Sequence, residues 1–166
     1  MTEPPFFSAD FHKGMDAAQK GDFGTALGEW RPLAEQGHAD AQFNLGFMYD
    51  EGKGVTQDSK TAIKWYTLAA EQGDDAAQFN LGHMYKNGEG VPQDNETAAK
   101  WYILAAEQEH ARAQFNLGLM YEKGQGIPQD NKTAIKWYTL AAEQGHAAAQ
   151  VNLGEMCKNG RGTPQD

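Results

Sequence analysis

A chain of 166 residues, 40% hydrophobic and 22% charged, is long and apolar enough to bury one substantial interior. Its 14 basic and 23 acidic side chains leave a net charge of −9, which repels phosphate backbones and anionic lipid and argues against nucleic acid and membrane as partners. The single cysteine, Cys157, permits neither an intramolecular disulfide nor a cysteine metal cluster, and no stretch approaches eighteen consecutive apolar residues.

In chain order, residues 1–37 read as a divergent helix pair acting as an N-terminal cap. The first helix is expected from roughly Ser8 to Lys20 and the second over 23–36, joined by a Gly21-Asp22 turn. Register identifies the second: Asp22, Thr25, Ala26 and Ala34 stand 36 residues before Asp58, Thr61, Ala62 and Ala70. Pro32 lacks an amide hydrogen, so it is expected to kink that helix or open its ladder near Gly28.

From His38 onward one 36-residue unit recurs without slippage. Ala-Glu-Gln begins at Ala34, Ala70, Ala106 and Ala142; Asn-Leu-Gly begins at Asn44, Asn80, Asn116 and Asn152. The units are 38–73, 74–109 and 110–145, with 146–166 incomplete, and together with the cap they form one continuous domain of about nine helices. In each unit, helix A runs from about His38 to Glu51, its apolar face formed by Ala41, Leu45 and Met48. Gly52 ends it, and a short loop leads to Asp58, the N-cap of helix B, which runs to about Gln72. The inward face of helix B carries Ala62, Ala69 and either Trp65 or Tyr66 between them. Asp166 is the expected N-cap of a further helix B. Helix A of the last unit, about His146 to Asn159, is therefore expected to present an uncovered apolar face, either because the unit is truncated or because a partner covers it.

Ala39, Ala41, Gln42, Leu45, Gly46, Tyr49, Gly52, Gly54 and Val55, followed by Asp58, Ala62, Trp65, Tyr66, Ala69 and Ala70, form a pattern that resembles the Sel-1-like repeats over roughly residues 34–166. The N-terminal pair, with Gly21-Asp22-Phe23 and Ala26-Leu27, looks more like a tetratricopeptide unit, a related fold. The resemblance implies an all-α, right-handed α-solenoid of antiparallel helix pairs whose A helices line a concave surface, and a role as adaptor or scaffold in protein complexes. Cysteine-rich bacterial members have been credited with binding or hydrolysing β-lactams. Their two cysteines per repeat are missing here, so that activity is not carried over.

Other motifs have plainer readings. The Gly-x-Gly turns follow no strand and continue into no Gly-Lys-Ser/Thr, so they end helices rather than cradle phosphate. His38, His110 and His146 open successive A helices. Helix neighbours about 8 to 10 Å apart cannot place them around one ion, so they are read as polar helix starts. The Trp-Tyr pairs at Trp65, Trp101 and Trp137 read as inter-repeat packing, and Cys157 as a semi-buried substitute for Tyr49, Tyr85 and Tyr121. Lys64, Lys100 and Lys136, with Glu71, Glu107 and Glu143, read as a solvated face. No catalytic set, metal-ligand pattern or cofactor motif emerges, so the expectation is a binding protein rather than an enzyme.

Positions that differ between copies are available for recognition. On helix A these are Asp40 and Arg112 in the first turn, Phe47, His83, Leu119 and Glu155 seven residues on, and Glu51, Asn87 and Lys123 four beyond those. Spacings of seven and four put them on one side of the helix, opposite Ala41, Leu45 and Met48, and Asn44, Asn80, Asn116 and Asn152 share that side. This stripe is the candidate binding surface for a protein or peptide. Its asparagines either clamp an extended backbone, as related tetratricopeptide grooves do, or tie adjacent helices together. Phe43, Phe79 and Phe115 are expected between neighbouring A helices. Homodimerisation through the uncovered C-terminal unit is the alternative function. The start of the chain lacks the basic and apolar segments of a secretory signal, so the cytoplasm is the expected compartment; a periplasmic or secreted location stays open if a signal has been removed.

Overall fold

The computed structural model describes residues 8–162, and the Asp166 cap lies outside that span. Nine helices occur among the described residues, in two compact units divided at Asp74 and Asp75. Unit 1 holds α1 (Phe11–Gln19), α2 (Phe23–Glu35), α3 (Ala39–Glu51) and α4 (Ser59–Glu71), each packed on the next. Unit 2 holds α5 (Asp75–Asn87), α6 (Asn95–Glu107), α7 (Ala111–Lys123), α8 (Asn131–Glu143) and α9 (Ala147–Lys158), also packed in chain order. The odd-numbered members α3, α5, α7 and α9 are the A helices of the repeat.

Every B helix begins on an aspartate that caps it from both sides of its carboxylate. In α6, Asp94 Oδ1 accepts from the backbone N–H groups of Glu96 and Thr97, while the Thr97 hydroxyl donates to Oδ2 at 2.6 Å. The same arrangement recurs at Asp58 with Thr61 and at Asp130 with Thr133. It satisfies orphan N–H groups and places negative charge at the positive end of the helix dipole. A-helix starts are capped differently: His38, His110 and His146 each accept the N–H three residues on through Nδ1, at 3.4, 3.2 and 3.3 Å. Burial lowers the His110 pKa, favouring the neutral ring this contact requires. Helix α1 starts at Phe11 rather than near Ser8 because Asp10 caps it, and α2 runs through Pro32 to Glu35. The proline lies close to the C-terminal end, so it removes one donor without ending the helix.

The core rests on one interlock repeated three times. Of each Trp-Tyr pair it is the tyrosine that turns inward: Tyr66, Tyr102 and Tyr138 are fully buried, while Trp65, Trp101 and Trp137 are half-buried. Each ring lies against a helix-A glycine so closely that a Cβ on Gly46, Gly82 or Gly118 would stand 2.6, 2.6 or 2.7 Å from it. The glycine in Asn-Leu-Gly is therefore a seat for the tyrosine. Buried glutamines supply the second link. Gln114 Nε2 donates to the Ala106 carbonyl at 3.2 Å, and its Oε1 accepts from Gln144 Nε2 at 2.8 Å, joining α7 to α6 and α8. In unit 1, Gln42 plays the same part between Ala34 and Gln72.

Candidate functional site

The sequence-derived stripe lies on the accessible side of the A helices. Asp40, Phe47, Glu51, His83, Asn87, Arg112, Lys123 and Glu155 are exposed, while Asn44, Asn80, Asn116, Asn152 and Leu119 are half-buried at their base.

Within unit 1, Asn44 and Phe47 line a pocket of about 290 Å³ together with Met15, Trp30 and Lys53. Its chemistry is apolar: Phe47 and Met15 are 38% and 36% exposed, and the Lys53 ammonium sits 4.5 Å over the Phe47 ring. Asn44 Nδ2 points at the Met15 sulfur, 3.6 Å away. Asp40 and Glu51 do not line this pocket. A larger hollow of about 400 Å³ lies between α2 and α4, lined by Arg31, Tyr49, Trp65 and Leu68 and by none of the stripe residues.

Within unit 2 the stripe residues converge on two pockets. His83, Asn87, Arg112 and Asn116 line one of about 310 Å³ with Lys86 and the Phe79 and Phe115 rings. Leu119, Lys123, Asn152 and Glu155 line another of about 220 Å³ with Glu122 and Arg161. Asn80 lines neither. Phe79 forms the wall between α5 and α7, as its spacing predicts: it stacks on His110 at 4.8 Å and carries the Arg112 guanidinium 4.7 Å above its face. It also leans on Tyr102 at 5.9 Å, so the phenylalanines buttress the buried tyrosines as well.

The asparagines differ from one another. Asn152 Nδ2 donates to Tyr138 Oη at 3.4 Å, a long bond that ties α9 to α8. Asn116 lies near enough to the Tyr102 hydroxyl to oppose part of the rise in its pKa, yet that buried hydroxyl has no hydrogen-bond partner within 3.5 Å. The difference between the copies lies on the helix A that precedes each tyrosine. Tyr66 donates to Asp50 at 3.5 Å and Tyr138 to Glu122 at 2.7 Å, whereas the equivalent position in the middle copy is Lys86, which offers no acceptor. Burial raises the Tyr102 pKa to about 12. An unsatisfied buried hydroxyl of this kind costs about 1–3 kcal/mol. Lys86 is itself half-buried, and burial followed by the like charge of Lys123 pushes its pKa down.

Cys157 is exposed, not semi-buried, because its short side chain does not reach the packing its tyrosine equivalents make. Among the described residues no three His, Cys, Asp or Glu side chains gather as a metal site. No helix among them is long and apolar enough to cross a membrane.

Helix pairs repeated at one period, capped by aspartate and interlocked by glycine and tyrosine, define an all-α repeat protein of the solenoid class. The chain belongs to the Sel1 repeat family, whose model matches residues 39–74, 75–110, 111–146 and 147–166. The α1–α2 pair lies outside those matches. Similar solved structures include a Sel1 repeat protein from Oxalobacter formigenes, 35% identical with a TM-score of 0.90 over 95% of this chain and 65% of that one. Another is a protective antigen of uropathogenic Escherichia coli with an SLR fold, 35% identical with a TM-score of 0.82 over 92% of this chain and 37% of that one. The chain thus spans less than two thirds of either relative. Helicobacter pylori cysteine rich protein B shares the fold at 20% identity and a TM-score of 0.60, over 84% of this chain and 94% of that one. No curated protein matches the chain.

Proposed function

We propose that this chain is a protein-interaction module that holds an extended segment of a partner protein along the exposed side of the A helices of unit 2. Repeats of this family generally serve as protein-interaction scaffolds. One observation carries the finer reading: residues that vary between copies, and that the interlock does not use, converge in unit 2 on two shared pockets. Each pocket combines apolar walls with amide and charged side chains, the mixture that reads side chains along a bound backbone. In this reading the chain binds and does not catalyse, so nitrocefin turnover should stay at the buffer rate.

The test is selection from a displayed library of random twelve-residue peptides, followed by backbone NMR mapping of the selected sequences. Shifts concentrated on α5, α7 and α9 support the module; selected peptides that map to the B helices would sink it.

A second reading, self-association through α9, is favoured by Val151, which is 60% exposed where the equivalent Phe79 is buried. Sedimentation velocity over a hundredfold concentration range distinguishes it: a dimer lost in Val151→Ser supports it, and a concentration-independent monomer rules it out.

A further inference from the structure

Unit 2 contains an exception to the repeat that the fold does not require. Where Asp50 and Glu122 accept from Tyr66 and Tyr138, the middle copy has Lys86, and the Tyr102 hydroxyl is left buried without a hydrogen-bond partner. Lys86 and Arg112 both line the pocket between α5 and α7, and Lys123 is close enough to act on Lys86. Among the described residues none of these three cations forms an ion pair with a carboxylate, although the chain carries a net charge of −9. Glu89, which follows α5, is already engaged: it accepts from Asn87 Nδ2 at 2.9 Å and lies 3.7 Å from His83 Nε2. Half-burying an ammonium beside a like charge, with no carboxylate paired to it, is unfavourable unless an anion arrives from outside. Arg112 is held by its stacking on Phe79, which leaves its N–H edges available for a carboxylate.

Resting on the reading that the A helices hold a peptide, we propose that this pocket is the subsite for a carboxylate of the bound segment, gripped by Lys86 and Arg112 with the Asn116 amide beside them. The carboxylate is either an Asp or Glu side chain or the peptide's own C-terminus. It supplies the negative charge that Lys86 and Arg112 lack as partners within the chain.

Four fluorescent, acetylated ten-residue probes on one Ser/Asn backbone test this by anisotropy and by side-chain NMR of Arg112, Asn87 and Asn116. One carries two central glutamates and an amidated end, the second two glutamines and a free C-terminal carboxylate, the third two glutamines and an amidated end, and the fourth a phosphoserine and an amidated end. At least one carboxylate probe should bind about tenfold or more tightly than the neutral one, and which of the two does so identifies the source. Lys86→Gln and Arg112→Gln should each abolish that advantage, and Lys136→Gln on α8 should not. Lys86→Glu, which gives Tyr102 the acceptor its equivalents have, should fold at least as well and lose binding. Equal binding of the neutral probe at the same residues overturns the carboxylate subsite and leaves the peptide groove standing. Preference for the phosphoserine probe alone overturns it in favour of a phosphate. If no probe shifts any A helix, both readings fall.

Discussion

Replacing Lys86 by glutamate should make the protein more stable. Tyr138 shows what the change restores, a hydroxyl donating to Glu122 at 2.7 Å, whereas Tyr102 has a lysine at that place and no partner. A buried hydroxyl left unsatisfied costs about 1–3 kcal/mol, and half-burying the new carboxylate takes back part of the gain. Removing the repulsion between Lys86 and Lys123 adds a smaller favourable contribution. The net is about 1–2 kcal/mol, which for a chain of this length raises Tm by about 2–8 °C. Calorimetric melts of Lys86→Glu, Tyr102→Phe and the double variant form a closed cycle. The gain should vanish in the Tyr102→Phe background. Tyr102→Phe alone should be neutral or stabilising, whereas Tyr138→Phe, which breaks a made bond, should cost about 1 kcal/mol or more. If Lys86→Glu lowers Tm, or if the two Tyr→Phe changes cost the same, the Tyr102 hydroxyl is already satisfied in the parent chain.

Three further predictions concern the scaffold. Glu109 adopts a left-handed φ of 65° where Gly37, Gly73 and Gly145 occupy the equivalent turn, so Glu109→Gly should stabilise by about 1 kcal/mol in denaturant unfolding. No gain there would mean that the turn bears no strain. Gly82→Ala pushes a methyl to within 2.6 Å of the Tyr102 ring and should destabilise by more than about 2 kcal/mol, while Gly154→Ala meets nothing within 4 Å and should be neutral or slightly stabilising. Similar costs for the two would discount the interlock. The carboxyls of Asp22, Asp58, Asp94 and Asp130 lie below their unfolded value of 3.8, mainly because a threonine hydroxyl donates to each. A folded value below the unfolded one gives stability that is present above the unfolded value and lost as pH falls through the folded one. Tm should therefore hold steady down to roughly pH 5 and fall below about pH 4, less steeply in a combined Thr61→Val, Thr97→Val, Thr133→Val variant.

The architecture was legible because four copies at one spacing show the same signals. Asp58, Asp94 and Asp130 stand where an N-cap must, and Gly52 and Gly124 sit at the ends of their A helices with φ of 64° and 65°. What one copy leaves ambiguous three copies do not always resolve. Trp65 and Tyr66 are adjacent on helix B, and choosing the inward ring required the glycine that receives it, twenty residues earlier. The Gln42–Gln72 bond was hidden for a similar reason: both residues belong to repeated words, but nothing in a sequence says that two amides thirty positions apart face each other. The stripe was legible as a face, since spacing decides faces; its grouping into pockets depends on which neighbouring helices lie alongside. Asp40, Glu51 and Asn80 share the face without lining the pockets that the other stripe residues form. The exchange of Asp50 and Glu122 for Lys86 was visible all along, and only the buried hydroxyl of Tyr102 gives it meaning.

In the proposed function, the stripe on the A helices of unit 2 holds the partner. Isothermal titration of a library-selected peptide against the intact chain and against the Arg112→Ala plus Asn116→Ala variant tests it most directly. A loss of tenfold or more in affinity, with helix content and melting unchanged, is the predicted result. Affinity that stays within twofold of the parent chain would contradict it.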